Sequence, residues 1–408
     1  MPASTLEGTD PGKDGDAMAY YSPLDSLVTD DPYPYYKALR EEQPVYYNEK
    51  DDFWALSRYD DVAGALHDPL SFSARKGTVY EDQTLEELPV PMMAFLDPPD
   101  HTRMRTMVSG SFVPKAVAGF KVAFGRNFVA QFDRLPGAEL DVCQDLLLPW
   151  AIENDLELLE IPAESRPLWR EWLNACFQRK RGNISFTAAG EEAIGHIMTF
   201  LAEEHLPRLY ATEGTFLSRL INGSADGDRM SEVEALGFLF LMALAGPEDV
   251  ARTAGYVLAN VSAQPSVVEL VRNDEPTRMN AIDETIRRDA STQYMRRTTA
   301  WDVDIRDTVI PEGARVLLLF GAANRDPEIF SDPDTFDIDR RNSRLAMGFS
   351  RGIHSCLGIH VSRLQMVAGL GEFFNRVESA ELDLDAAESV HAMNITGFQR
   401  LPARLKLR

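Results

Sequence analysis

The sequence predicts a mainly α-helical protein with a minor β region. The chain has 408 residues, and mostly helical periodicity runs from Lys115 to His205, broken only at short loops. A longer helix is predicted from Ser231 to Ala263, because Ser231 and Glu234 match a capping box and a proline follows. The strand-like runs, such as Val316–Leu319, are short and few.

Smaller elements are predicted on either side of these helices. The earlier ones are short helices and a β-hairpin, and the later ones are a helix and further short strands. The predicted segments are Tyr35–Glu42, Val45–Tyr47, Phe53–Ser57, Tyr59–Asp68, Pro276–Asp289, Arg297–Trp301 and Arg404–Leu407. No Gly/Ser-rich or Pro-rich linker divides the interior, so we expect residues 19–408 to form one domain after a disordered tail at 1–18.

Composition excludes several classes of protein. With 41 Lys and Arg against 64 Asp and Glu, the net charge of −23 opposes binding to nucleic-acid phosphates. Three cysteines, Cys143, Cys176 and Cys356, do not make a disulfide framework. The longest apolar run, Ala235–Gly246, is too short to span a bilayer, and the N-terminus lacks the apolar region of a signal peptide. We expect a soluble cytoplasmic protein.

The most informative stretch is Phe349–Gly358, which reads Phe-Ser-Arg-Gly-Ile-His-Ser-Cys-Leu-Gly. Its cysteine precedes an apolar helical run, where free N–H groups and the helix dipole favour thiolate over thiol. Gly352 permits a turn with positive φ, and Gly358 allows a flat partner to approach closely. The stretch suits a thiolate presented to a metal in a planar ligand. The alternative is that Cys356 is simply a small buried hydrophobic residue.

This stretch resembles the haem-ligand loop of the cytochrome P-450 superfamily, F-x-x-G-x-H-x-C-x-G, with every fixed position present. The resemblance implies a cytochrome P-450 fold that holds haem b (iron protoporphyrin IX) between the central helix and the cysteine loop. It implies that Cys356 is the iron ligand and that Phe349 and Gly358 border the cofactor. An axial thiolate favours O–O cleavage, so the implied activity is that of a haem-thiolate monooxygenase of the bacterial type.

Two further sets of residues match the family at fixed offsets. Glu284-Thr-Ile-Arg287 matches its E-x-x-R motif, and Arg340 lies where the family supplies the third member of this structural ion network. The resemblance implies that haem propionates bind to residues from three segments. These are His101 and Arg105 of a helix that opens at Asp97-Pro-Pro-Asp, Arg296, and His354. His101 and Arg105 are four residues apart and share one helix face. Taken singly, each of these residues could be an ordinary surface charge, but the match of three separate segments argues against that interpretation.

The sequence of the central helix differs from the family's motif at the position to which the resemblance assigns proton delivery. Most members carry A/G-G-x-D/E-T, but this chain has Ala245-Gly246-Pro247-Glu248-Asp249. The resemblance assigns Ala245 and Gly246 to the cofactor and Glu248 and Asp249 to catalysis. Pro247 lacks an N–H and is expected to kink the helix. A protonated Asp249 would donate the hydrogen bond that threonine donates in relatives. The alternatives are hydrogen peroxide as oxidant, substrate-assisted proton delivery, or an acid that binds a basic substrate.

Substrate contacts are placed by analogy with relatives, in segments at 79–95, 177–186, 242–249, 292–295 and 394–398. Met and aromatic side chains there suit a mostly apolar molecule of moderate size, although such residues are often plain core. The predicted pocket residues are Met92, Phe95, Phe177, Phe186, Met242, Tyr294, Met295 and Phe398.

No FAD, NAD or fused-reductase motif is present, so electrons are expected from a ferredoxin or flavodoxin with its reductase. Five arginines and no acid lie in residues 340–365: Arg340, Arg341, Arg344, Arg351 and Arg363. They form either a docking face for an acidic partner or buried salt bridges. Three alternatives to a monooxygenase remain: a peroxide-driven haem enzyme of the same fold, a non-enzymatic haem-binding sensor, and a protein without haem.

Overall fold

A computed structural model describes residues 19–80, 89–178, 186–224, 227–390, 392 and 394–408. The predicted tail at 1–18 and parts of two predicted substrate segments, 81–88 and 179–185, lie outside the described residues.

Helices dominate the described chain, which confirms the mainly α prediction. Short 3-10 turns occur at 93–95, 343–345 and 352–354, and π-helical turns at 142–147 and 201–205. The α-helices are α1 Ser26–Asp30, α2 Tyr33–Glu42, α3 Tyr59–His67, α4 Asp100–Ser109, α5 Pro114–Val117, α6 Phe120–Phe132, α7 Leu148–Leu158, α8 Arg166–Phe177, α9 Ala188–Phe200, α10 Leu206–Ala211, α11 Phe216–Ile221, α12 Glu232–Ala245, α13 Pro247–Ser262, α14 Pro265–Asn273, α15 Glu275–Arg288, α16 Phe320–Ala323 and α17 Ile359–Arg376.

The strands form small sheets at the edge of the helical body. They are β1 Val45–Asn48, β2 Phe53–Leu56, β3 Phe72–Ser73, β4 Glu139–Asp141, β5 Tyr294–Thr299, β6 Val303–Ile305, β7 Thr308–Ile310, β8 Arg315–Leu319, β9 Val377–Leu382, β10 Glu388–Ser389, β11 Phe398–Arg400 and β12 Pro402–Leu407. The largest sheet has the order β1-β2-β8-β5-β3. Its β1–β2 pair is the predicted hairpin, which the antiparallel register confirms.

This five-stranded sheet is buried on both faces, and the faces have different neighbours. Along β8, Val316 and Leu318 pack into one apolar cluster, whereas Leu317 and Leu319 pack into another. Successive side chains of a strand point to opposite faces, so each strand contributes alternately to the two clusters. The same alternation decides which residues of β5 reach the candidate site.

The predicted central helix is interrupted. Ser231 caps α12 in a capping box with Glu234, as the sequence indicates, but α12 ends at Ala245 and α13 begins at Pro247. Proline cannot donate to the carbonyl four residues earlier, so the break falls where the sequence predicts a kink. Among the described residues, no helix is both long and apolar enough to cross a membrane.

Candidate active site

A cavity of about 340 Å³ lies between the interrupted central helix and the loop that precedes α17. One wall is formed by Ala245, Gly246 and Asp249, and the opposite wall by Phe349, Cys356 and Gly358. All six are sequence-predicted site residues, so the fold brings the two motifs to opposite sides of one space.

The cysteine loop presents its sulfur to this cavity. Gly352 has φ 66°, and a side chain there would also collide with the backbone carbonyl oxygen of Leu66. The Cys356 N–H donates to Phe349 O at 2.8 Å, which fixes the turn. Burial raises the pKa of the Cys356 thiol to about 11, and a bond from the Gly358 N–H opposes that rise. A coordinated metal ion deprotonates a thiol outright, so this sulfur suits a metal ligand.

One end of the cavity is cationic. His101, Arg105, Arg297 and His354 all line it. Burial and the neighbouring charges of Arg105 and Arg297 lower the pKa of His101 to about 4. Burial also lowers the pKa of Arg105 and brings that of Arg297 to about 10. Buried cations of this kind are stabilised by an anionic group, and the propionates of haem supply two carboxylates.

Two histidine ring nitrogens without hydrogen-bond partners also indicate that this end of the cavity holds a ligand such as haem. His101 Nδ1 and His354 Nε2 are buried without a hydrogen-bond partner among the described residues. Their rings lie 4.3 Å apart between centroids. Buried polar atoms of this kind usually have partners, so an acceptor at this end of the cavity would complete the site. The residues present therefore fit haem.

The structure places Arg297, and not the predicted Arg296, on the cavity wall. On β5, Met295 and Arg297 face the cavity, whereas Tyr294 and Arg296 point to the opposite face. The Arg296 side chain donates instead to the carbonyl oxygen of Tyr80 at 3.4 Å. Counting from Glu284 gave an offset that was one residue short, and in a strand one residue reverses the direction of the side chain.

The predicted ion network lies beneath the cysteine loop. Glu284 is fully buried and bonds Arg287 at 2.7 Å and Arg340 at 3.0 Å. The Ser343 hydroxyl donates to the same carboxylate at 2.7 Å. These bonds tie α15 to the segment that leads into the loop, and they hold the pKa of Glu284 below its usual value despite burial.

Across the cavity, Asp249 belongs to a small hydroxyl network. The Ser291 hydroxyl donates to Asp249 Oδ1 at 2.7 Å and the Thr292 hydroxyl lies 3.4 Å from the same oxygen. The Thr253 hydroxyl donates to Ser291 at 3.2 Å. Burial raises the pKa of Asp249 to about 6, and the charge of nearby Glu248 adds to the rise, while the Ser291 bond opposes it.

Glu248, the other predicted catalytic acid, is not among the residues that line the cavity. Its Oε1 lies 3.2 Å from Arg252 Nη2. Arg252 is itself fully buried, and it donates to Phe398 O at 2.6 Å. Glu248 thus pairs with the arginine that fastens α13 to β11. The motif position alone could not reveal this ion pair, because Arg252 has no counterpart in the pattern.

The predicted substrate residues divide between the cavity and the core. Met242 and Met295 line the cavity, whereas Phe177 is buried in the helical core and Phe186 is 39% exposed. Met92 and Phe95 flank Met93 and Ala94, which are the lining residues of that turn. Tyr294 packs on the other sheet face, and the Phe398 ring lies 5.2 Å from that of Tyr256.

Sequence reasoning also missed an acidic lining residue. Asp155 of α7 is buried at the cavity wall with one carboxylate oxygen lacking a partner among the described residues. The sequence signal is the polar trio Glu153-Asn154-Asp155 within a mostly apolar helix.

The five arginines near the cysteine loop do not form five free charges. The Arg340 side chain is shielded within the network described above, and both Arg344 and Arg363 bond Asp283, at 2.9 and 2.8 Å. The Arg344 side chain is nevertheless 69% exposed, and Arg341 is exposed. The structure thus combines the two interpretations, with buried bridges and an exposed basic edge.

Comparisons with known proteins define the class first. The model of the cytochrome P450 family matches residues 184–406. A putative cytochrome P450 123 of Mycobacterium tuberculosis is 32% identical over 397 residues, which cover 97% of this chain and 99% of that protein. Cytochrome P450 107B1 of Saccharopolyspora erythraea is 30% identical and covers 93% of this chain and 96% of its own length.

The solved structures agree on the fold. Cytochrome P450 CYP109Q5 from Chondromyces apiculatus superposes with a TM-score of 0.85 at 24% identity, covering 96% of this chain and 99% of its own. The chain therefore belongs to the cytochrome P450 family, and it is a haem-binding oxidoreductase of the monooxygenase type. When bound to a cysteine thiolate, haem would supply the chemistry that favours O–O cleavage, and Cys356 is the residue that would hold its iron.

Proposed function

We propose that this protein is a haem-thiolate monooxygenase that oxidises a mostly apolar small molecule, with electrons from a ferredoxin-type partner. The observation that carries the proposal is the single cavity bounded by Cys356 on one side and Asp249 on the other. In this reading Cys356 holds the iron, and His101, Arg105, Arg297 and His354 hold the propionates.

The lining beyond the proposed cofactor site supports an apolar substrate. Met93, Phe238, Leu241, Met242 and Met295 provide an apolar surface. Pockets for small molecules combine such surfaces with a few placed polar groups. Since Asp249 is assigned to proton supply below, the substrate class we favour is a mostly apolar molecule of moderate size.

A ligand screen on the purified ferric protein tests this function directly. Apolar molecules of moderate size are expected to shift the Soret absorption band when they displace distal water. Polar molecules of equal size serve as controls and are expected to leave the band unchanged. A screen in which charged, hydrophilic compounds alone shift the band would contradict the proposed substrate class.

Asp249 is proposed to supply a proton to the reacting oxygen. Its pKa of about 6 lies above the usual value for an aspartate, so the protonated fraction falls as pH rises through about 6. Product formed per electron pair is expected to fall over the same range. The Asp249→Asn variant has no titrating carboxyl there, so this pH dependence should disappear; a wild-type-like profile would refute the role.

The Asp249→Thr variant separates oxygen from peroxide as the working oxidant. Under our proposal threonine sustains turnover driven by the redox partner, as the family pattern implies. A peroxide-driven enzyme would instead lose peroxide-dependent turnover while partner-driven turnover rises. Collapse of substrate affinity would identify Asp249 as a ligand for a basic substrate.

The exposed basic edge is proposed as the docking site of the acidic electron donor. Reversal of Arg341 and Arg344 to glutamate should slow reduction by a ferredoxin, most strongly at low ionic strength, because complementary charge chiefly raises association rates. Arg404→Glu is the matched control, since its side chain is 67% exposed but lies on β12. Equal reduction rates for all three proteins would place docking elsewhere.

A further inference from the structure

Asp155 is a buried carboxyl on the cavity wall that the proposed function leaves unused. It is 5% exposed, and its Oδ2 has no hydrogen-bond partner in the described part of the chain. Burial raises its pKa well above the usual range. A buried carboxyl with an unmet oxygen is costly unless it serves a ligand, a water or a proton transfer.

Asp155 packs against the central helix at Gly246, between α12 and α13. Its Oδ1 lies 3.4 Å from the position that a Cβ would take on Gly246. The next residue, Pro247, has no N–H, so the carbonyl oxygen of Ala243 loses its helical donor. The Asp155 carboxyl thus lies beside Gly246 at the helical break, and both residues line the cavity. The oxygen of Asp155 that lacks a partner among the described residues is one of about two to four polar partners that a buried water molecule needs.

The acid that the family motif would use is engaged elsewhere. Glu248 is held by the fully buried Arg252 and is absent from the cavity wall. Among the described lining residues, the carboxyl groups are those of Asp155 and Asp249. Asp249 follows Gly246 by three residues, within one helical turn, and Asp155 of α7 lies beside Gly246, so both acids lie close to the helical break.

We propose that Asp155 returns protons to Asp249 during turnover and so takes the relay position that Glu248 does not occupy. The inference rests on the proposed function, in which Asp249 gives up a proton. The O–H bond of Asp155 breaks, and its proton passes through water at the Gly246 turn to the Asp249 carboxylate, where a new O–H bond forms. Asp155 is then reprotonated by a proton from the bulk solvent (hydronium, which leaves water), and no electron moves in this exchange.

The test compares Asp155→Asn and Asp155→Glu in the haem-loaded protein. Asparagine keeps the shape of the side chain without a transferable proton, whereas glutamate keeps the acid. We expect Asp155→Asn to retain the Soret band and the substrate-induced shift. Its yield of product per electron pair should fall roughly tenfold or more below that of the wild type, and its solvent deuterium isotope effect should increase. Asp155→Glu should recover most of the yield.

Infrared spectroscopy supplies a readout that does not depend on turnover. The resting protein should show a protonated-carboxyl C=O band that shifts in D₂O, disappears in Asp155→Asn and persists in Asp249→Asn. A band that persists in Asp155→Asn, or an unchanged product yield and isotope effect, would overturn the proposal. If Asp155→Asn loses its haem, Asp155→Glu decides: retained band and yield support the relay, and their loss refutes it.

Failure of the underlying function gives a different result. A wild-type protein that accepts electrons yet never forms oxidised product contradicts the monooxygenase proposal itself. The infrared band then still decides whether Asp155 is the protonated acid at the Gly246 turn.

Discussion

At the scale of single residues, the direction of a side chain decides whether the residue reaches the cavity, and its position in a motif does not. Arg296 and Arg297 are adjacent and chemically identical, yet Arg297 alone of the two lines the cavity. The register of β5 on β8, with Arg297 opposite Val316, sets this difference. An offset counted from a motif cannot predict this direction, because a shift of one residue along a strand turns the side chain to the opposite face of the sheet.

This pair provides a matched test of the propionate site. Arg297→Leu removes a charge-assisted hydrogen bond, which is worth about 1.5–3 kcal/mol, so haem affinity should fall by roughly tenfold or more. Arg296→Leu is the control and should retain haem. The measurement is the haem-to-protein ratio during transfer to an excess of apomyoglobin. Greater haem loss from the Arg296 variant would reverse our assignment.

The residues that sequence reasoning located well were those that a contiguous pattern identifies. Cys356, His354 and Gly358 lie within one ten-residue stretch, and its loop geometry follows from local backbone constraints. Asp155 could not be found in this way. Its place on the cavity wall depends on the packing of α7 against the broken central helix, which is far away in sequence.

At the scale of elements, the packing of the central helix against the segment before α4 shapes the cavity. Gly237 of α12 faces the carbonyl oxygen of Pro91, and a side chain at that position would collide with it. The segment continues directly into Met93 and Ala94, which line the cavity. A small residue on the helix therefore sets the position of one cavity wall.

Gly237→Ala should destabilise the protein by about 1–3 kcal/mol, because it overpacks a close contact with backbone. It should also weaken substrate binding, since the wall at Met93 moves. Gly64→Ala is the control: Gly64 lies in α3 with no atom within 4 Å of the added Cβ, and alanine there should stabilise the helix by about 0.5–1 kcal/mol. Denaturant unfolding and Soret titration measure the two effects. Equal stability of both variants would contradict the close contact.

At the scale of the whole molecule, the chain separates charges along one cavity. Arg105 of α4 and Arg297 of β5 lie at one end with His354 of the cysteine loop, while Asp155 and Asp249 lie by the helical break. The ion network around Glu284 fixes the loop that carries Cys356. The family's sequence pattern predicts which residues belong to the site. The distances between them are set by the fold, because three segments that are distant in sequence must converge.

The central claim is that Cys356 provides a thiolate to haem iron within this cavity. The most direct measurement is the absorption spectrum of the reduced, CO-bound protein for wild type and Cys356→His, with Cys143→Ser as a control at a buried cysteine outside the cavity wall. We predict the long-wavelength Soret band of thiolate ligation for wild type and the control, and its replacement by a shorter-wavelength band in Cys356→His. An unchanged band in Cys356→His, or a colourless wild-type protein, would contradict the account.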